Sequence, residues 1–217
     1  MDPRTARLYE RYHEVTYQDL GKRSGVWKAL GGYLQRYIPT NAAVLDLGAG
    51  YCGFINNIKA REKHALDLSP EVRTHAGPDV ITYVGDVADL SMLGSGSMDA
   101  VFASNLIEHL DDDPLASTLS EVSRVLRTGG RFIVMQPNFT YAYRNYFDDF
   151  THRRIYTHIS LRDVLMTQGF RIVALHKKFT PYSMRSSIPA HHWLVSLYLR
   201  SPFKPMAGQM LIVGEKR

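Results

Sequence analysis

The run Ala42-Ala43-Val44-Leu45-Asp46-Leu47-Gly48-Ala49-Gly50-Tyr51-Cys52-Gly53 constrains this chain more than any other stretch. A short apolar segment delivered straight into a glycine turn reads as a buried strand whose end lets a ligand approach the backbone closely. Strands of this kind belong to parallel α/β sheets, where the crossover helices bury both faces.

The rest of the chain repeats the theme. HALDL, VITYV, DAVFAS, RFIVMQ, RIVALHKK and QMLIVGEKR are short apolar runs bounded by Gly, Pro, Ser or Asp, separated mostly by helix-compatible segments. Val26, Trp27, Leu30, Leu34, Tyr37 and Ile38 recur at helical spacing up to Pro39. Asp113-Pro114 reads as an N-cap followed by proline at the first helical position, with Leu115, Leu119, Val122 and Leu126 as its buried stripe and Gly129-Gly130 as its stop. SLRDVLMTQGF reads as a helix closed by Gly169, and the glycine loop itself is expected to open a helix. HHWLVSLYL is expected to pack on the core in preference to a membrane surface.

No repeat or low-complexity tract interrupts this alternation, and 217 residues with 45% hydrophobic composition suit one α/β domain. The expected organisation is a helical cap over 1–39, a core over 40–177, an insertion over 178–208 that caps the substrate, and a final strand over 209–217. The lone Cys52 excludes an internal disulfide and a multi-cysteine metal site. The first residues carry no apolar leader and no later run approaches a membrane span, so a cytoplasmic protein is expected. The net charge of +5 is scattered along the chain and reads as a solvated surface.

Gly48 to Gly53 also satisfies G-x-G-x-x-G, and Asp67 lies where a ribose-binding acid is expected, so a nicotinamide oxidoreductase competes at this point. Asp46 discriminates. A carboxylate two residues before the first glycine would repel a pyrophosphate by roughly 4 kcal/mol at about 4 Å and an effective dielectric near 20. S-adenosylmethionine carries an ammonium and a sulfonium but no phosphate, and an acid there would help to hold it.

At this point the chain resembles the class I S-adenosylmethionine-dependent methyltransferases, in the manner of small-molecule and glycan-pathway members from bacteria. VLDLGAGYCG is similar to the first motif of that family, ALDLSP to the second, YVGDVADL to the third, DAVFASNLIEHL to the fourth strand with its loop, and LRTGGRFIVMQPN to the fifth-strand segment. The resemblance runs over residues 40–177 and departs where Cys52 stands in place of a glycine, with Gly53 one position later. It implies an α/β, Rossmann-like, seven-stranded, mostly parallel sheet with helices on both faces and an antiparallel last strand. It also implies Asp46, Gly48, Ala49, Gly50, Asp67, Leu68, Asp86, Val87 and Asn105 as cofactor contacts, with Asp67 on the ribose and Asp86 near the adenine amino group. The bare alternatives are that Asp67 and Asp86 merely cap the segments that follow them. Cys52 reads as a small buried thiol.

Methyl transfer to a hydroxyl usually needs a base, and imidazole titrates in the right range. His109, just after the fourth strand, is the first candidate and His152, inside Asp148-Asp149-Phe150-Thr151-His152-Arg153-Arg154, the second. Either could equally be structural. Arg144, Arg153, Arg154, Tyr17 and His191 are expected to line the acceptor, a small molecule such as a nucleotide- or lipid-linked sugar, and the amino-terminal Tyr9, Tyr12, His13 and Tyr17 to form a lid. No resident metal is expected, because Asp148, Asp149 and His152 match no ligand signature. A nucleic-acid acceptor is disfavoured, since SNLI is unlike the adenine-N6 motif NPPY. A small-molecule N-methyltransferase, an RNA methyltransferase and a catalytically silent cofactor-binding partner are the remaining alternatives.

Overall fold

The computed structural model describes residues 20–181 and 191–217. Seven strands form one sheet: β1 (Ala43–Leu47), β2 (Glu62–Asp67), β3 (Val80–Val84), β4 (Met98–Ser104), β5 (Leu126–Pro137), β6 (Phe170–His176) and β7 (Gln209–Lys216). Their spatial order is β3-β2-β1-β4-β5-β7-β6. β1 to β5 pair in parallel, and β7 slots antiparallel between β5 and β6. This is the Rossmann-like α/β architecture expected from the sequence, antiparallel last strand included.

The helices are α1 (Leu20–Leu34), α2 (Val72–His75), α3 (Asp112–Val125), α4 (Phe139–Ala142), α5 (His158–Thr167) and α6 (His192–Arg200). Because side chains alternate across a strand, each strand feeds two cores. Leu45, Val101, Phe132 and Ile212 meet Leu119 and Val122 of α3 and Leu161 and Leu165 of α5. Val44, Phe102, Ile133 and Leu211 meet Leu30 and Leu34 of α1 and Leu199 of α6. Each such side chain contributes roughly 1.5–3 kcal/mol by leaving water. α1 is therefore built into the core, and the stretch before Leu20, with Tyr9, Tyr12, His13 and Tyr17, lies outside the described residues. α6 packs through Leu199 but leaves Trp193 and Leu197 exposed. Among the described residues no helix is long and apolar enough to cross a membrane.

Three local expectations are corrected. No α-helix follows the glycine loop: the chain passes through turns to a single 3₁₀ turn, Ile55–Asn57. Cys52 takes a left-handed φ of 56°, which a right-handed helix cannot continue. α3 is capped by Asp111 in extended conformation, so Pro114 falls at the third helical position, still within the first turn where a missing N–H costs nothing. That helix ends at Val125, before Gly129-Gly130, because Leu126 already pairs with Met98 of β4. Gly129, at φ 75°, instead serves the register shift that brings Arg131 opposite Ala100.

Candidate cofactor and acceptor site

The strand order reverses between β1 and β4, and an open α/β sheet leaves its ligand crevice beyond the carboxyl ends of the strands at that point. The loop after β1 is fixed from both sides. The N–H groups of Gly48 and Ala49 donate to the Leu66 carbonyl at 2.9 and 3.0 Å, and the Gly50 N–H donates to Asp67 Oδ2 at 2.7 Å. Gly48 has φ 71°, and a Cβ there would lie 3.0 Å from Leu106, so the loop after β4 closes on the loop after β1. Asp67 Oδ1 also accepts from Ser69 N–H at 2.9 Å. Asp67 therefore caps the following turn and tethers the glycine loop at once. Leu68 beside it is exposed.

Asp46 is buried at the end of β1, where Ile55 N–H donates to its Oδ2 at 3.3 Å. Burial pushes its carboxyl up to about 8, the Ile55 bond opposing and the nearby Asp67 adding to the rise. A cation brought to this carboxyl would restore its charge. Cys52 is buried under the loop, and desolvation reinforced by Asp46 and Asp67 pushes its thiol up to about 12, far from a nucleophile's range. Asp86 is exposed and accepts from Ala88 N–H at 3.0 Å, while Val87 turns its side chain into the core beside Leu90 and Leu93.

On the β4 side, Asn105 takes φ 49° and donates its N–H to the Met135 carbonyl at 2.9 Å. Its Oδ1 accepts from Gln209 Nε2 at 2.9 Å, and Gln209 Oε1 accepts from Thr180 Oγ1 at 2.8 Å. The last strand and the late insertion thereby brace the crevice.

The 3₁₀ turn Ile107–His109 follows. The Arg153 and Arg154 N–H groups both donate to the Glu108 carbonyl, at 2.8 and 3.0 Å, so the segment after β5 folds back along this turn. The two separately predicted histidines meet there, with ring centroids 4.9 Å apart. His152 is buried against Tyr146, its Nδ1 lies 2.7 Å from the Tyr146 carbonyl, and desolvation lowers its pKa against the opposing pull of Asp149. His109 Nδ1 lies 3.0 Å from Thr151 Oγ1 and 3.2 Å from the Thr151 carbonyl, and Thr151 Oγ1 in turn donates to Asp149. Carbonyls only accept, so Nδ1–H on His152 follows directly, and the same tautomer suits His109.

The predicted arginines diverge. Arg154 pairs with Asp112, donates Nε to the Leu110 carbonyl at 3.1 Å, and its own carbonyl accepts from the Tyr146 hydroxyl. Arg153 is exposed beside His152, and Arg144 is exposed against its neighbour Tyr143. His191 is exposed at the amino end of α6, with no side-chain capping bond.

Two residues went unread in the sequence. Glu108 is fully buried, and neither carboxylate oxygen finds a partner on another residue. Desolvation pushes its carboxyl up to about 8, opposed by its own N–H and reinforced by Asp149. Gln136, on the same strand face as Phe132 and Val134, is buried with both amide atoms unpartnered. Adjacency to His109 was the only signal for Glu108, and a glutamine in an apolar strand was the only one for Gln136.

Residues 45–134 match the family described as a methyltransferase domain. A protein of Mycolicibacterium smegmatis named as an S-adenosylmethionine-dependent methyltransferase is 32% identical over 168 residues, 75% of this chain and 59% of its own length. The ubiquinone biosynthesis O-methyltransferase of Xanthomonas axonopodis pv. citri is 32% identical over 117 residues, 49% of this chain and 48% of its own. The chain thus spans about half the length of the curated relatives it matches. A methyltransferase of Haloferax volcanii, solved with the Trm112 methyltransferase activator, superposes with a TM-score of 0.71 at 19% identity, covering 95% of this chain and 96% of that one, and shows the shared fold. Residues 45–134 thus carry a methyltransferase domain of the S-adenosylmethionine-dependent kind, with S-adenosylmethionine as the cofactor of that domain, on a Rossmann-like fold.

Proposed function

We propose that this protein transfers a methyl group from S-adenosylmethionine to a hydroxyl of a small molecule, a sugar or glycan precursor carried on a nucleotide or lipid. The observation that carries the hydroxyl reading is the pairing of His109 and His152 at the end of β4, where two segments over forty residues apart in sequence converge on one spot. The relative named an O-methyltransferase supports it. Exposed Arg153 beside His152 offers a guanidinium for a phosphate.

The crevice suits the cofactor. Asp46 offers a buried carboxyl to its cationic amino-acid end, Asp67 stands at the rim for the ribose hydroxyls, and a Cβ at Gly50 would meet nothing within 4 Å, so the loop leaves open space there. When bound, the cofactor supplies a methyl carbon activated by positive sulfur. Nε2 of His109 or His152 takes the acceptor proton as the oxygen lone pair forms the new C–O bond. The C–S electron pair stays on sulfur, leaving S-adenosylhomocysteine.

Titration calorimetry with S-adenosylmethionine, S-adenosylhomocysteine and NAD, followed by a labelled-methyl screen of hydroxyl and amine acceptors, tests this reading. Binding of the first two without NAD, and label on sugar hydroxyls, is the expected result. NAD binding alone overturns the cofactor, and label confined to amines overturns the acceptor. Asp67→Ala is expected to weaken S-adenosylmethionine by about tenfold or more, since it removes a charge-assisted acceptor, with the circular dichroism unchanged.

A further inference from the structure

A buried carboxyl group without partners is costly and calls for an explanation. Glu108 is such a group, and its surroundings supply the explanation. One ligand atom each from Glu108, His109 and His152 lies within 4.8 Å of the other two. Both imidazoles face backbone carbonyls through Nδ1, His152 to Tyr146 and His109 to Thr151, which places the proton there and leaves Nε2 with the lone pair. A ring nitrogen donating to a carbonyl is how a metal-bound histidine is oriented. The Asp149 carboxylate, 3.8 Å from His152 Nε2, adds negative potential.

We propose that Glu108, His109 and His152 bind one divalent transition-metal ion of the zinc class. Two imidazoles and one carboxylate, with a fourth position left for an exogenous oxygen, form a ligand set typical of catalytic zinc sites. Tetrahedral coordination at about 2.0–2.1 Å sets ligand atoms about 3.3–3.4 Å apart, so the three side chains close inward by an ångström or so on loading. Mg²⁺ and Ca²⁺ prefer all-oxygen shells and are poor competitors. The sequence offers Asp148, Asp149 and His152 as ligands without a recognisable signature, and Glu108 is not in that set. Asp148 turns instead to Asn145, 2.9 Å away.

That the ion binds is independent of the methyl-transfer reading, whereas its role rests on it. The ion, when bound, would acidify an acceptor hydroxyl held at the fourth position, the role that Nε2 of the two histidines fills without it.

The test uses the full chain, stripped with chelator and titrated with Zn²⁺ by calorimetry, with Co²⁺ as a visible-absorption probe. One equivalent of Zn²⁺, a Co²⁺ spectrum of tetrahedral intensity, no Mg²⁺ heat, and losses of about tenfold or more in Zn²⁺ affinity for Glu108→Gln, His109→Ala and His152→Ala are expected, with Asp148→Asn unchanged. Three variants on two segments guard against one that fails to fold, and circular dichroism identifies it. Absence of stoichiometric Zn²⁺ binding, or binding undiminished in every folded variant, overturns the proposal. S-adenosylmethionine titrated into the same samples separates the two readings: cofactor binding without Zn²⁺ binding sinks the ion alone, and Zn²⁺ binding without cofactor binding sinks the methyl-transfer reading alone.

Discussion

Asp46 holds a carboxyl that burial raises to about 8, against an unfolded value near 3.9. Below pH 4 both folded and unfolded chains keep the proton and the group is neutral to stability. As pH climbs toward 8 the unfolded chain releases it first, so stability falls across that window and the loss is complete above it. The cofactor-free protein is therefore expected to be less stable at pH 8 than at pH 5, by a few kcal/mol at most, in urea denaturation. Asp46→Asn should remove its share of that difference, the buried Glu108 carboxyl keeping the rest, and weaken S-adenosylmethionine binding, and an unchanged pH slope would remove Asp46 as a cause. The position of this acid was legible because a charge in an apolar strand stands out. Glu108 was not, since burial of a loop carboxylate is decided by a segment more than forty residues later folding over it.

Among the elements, the loop after β1 shows how a motif can be read correctly and its geometry wrongly. The glycines were placed by spacing, but the helix expected after them is replaced by turns. The reason lies in α1: a Cβ on Gly53 would come within 2.5 Å of the Trp27 ring, which packs edge-on to Phe102 at 6.4 Å, while Phe54 stacks on Phe102 at 3.9 Å. Gly53 thus makes room for an aromatic cluster, a contact that no local pattern encodes. Gly53→Ala is expected to cost about 1–3 kcal/mol by overpacking, measured by denaturation, and to be largely relieved in combination with Trp27→Leu. Additive losses in the double variant would contradict this account. The strands were legible because both faces of a parallel sheet demand apolar runs. Helix ends at Asp111 and Val125 were not, because sheet pairing at Leu126 set one of them.

For the whole molecule, the two cores meet at a sheet whose centre carries the candidate site, and the late insertion is tied to it through Thr180, Gln209 and Asn105. Gln209→Leu would leave the buried Thr180 hydroxyl without its partner, at roughly 1–3 kcal/mol, and would take the brace off the exposed Asn105. It is expected to lower thermal stability and S-adenosylmethionine affinity together. A drop in stability with affinity intact would detach the insertion from the cofactor site. That coupling between 180, 209 and 105 was invisible in the sequence, whereas the order of the motifs along it was plain.

The place of β7 carries a consequence in time. β6 pairs only with β7, so until β7 arrives β6 has no place in the sheet and β5 presents an unpaired edge. Pairings this distant in sequence close late and slowly. Gln209, its first residue, supports Asn105 in the crevice, so ligand-binding competence should appear only with the last step of folding. In that interval the chain is most open to association with its own kind.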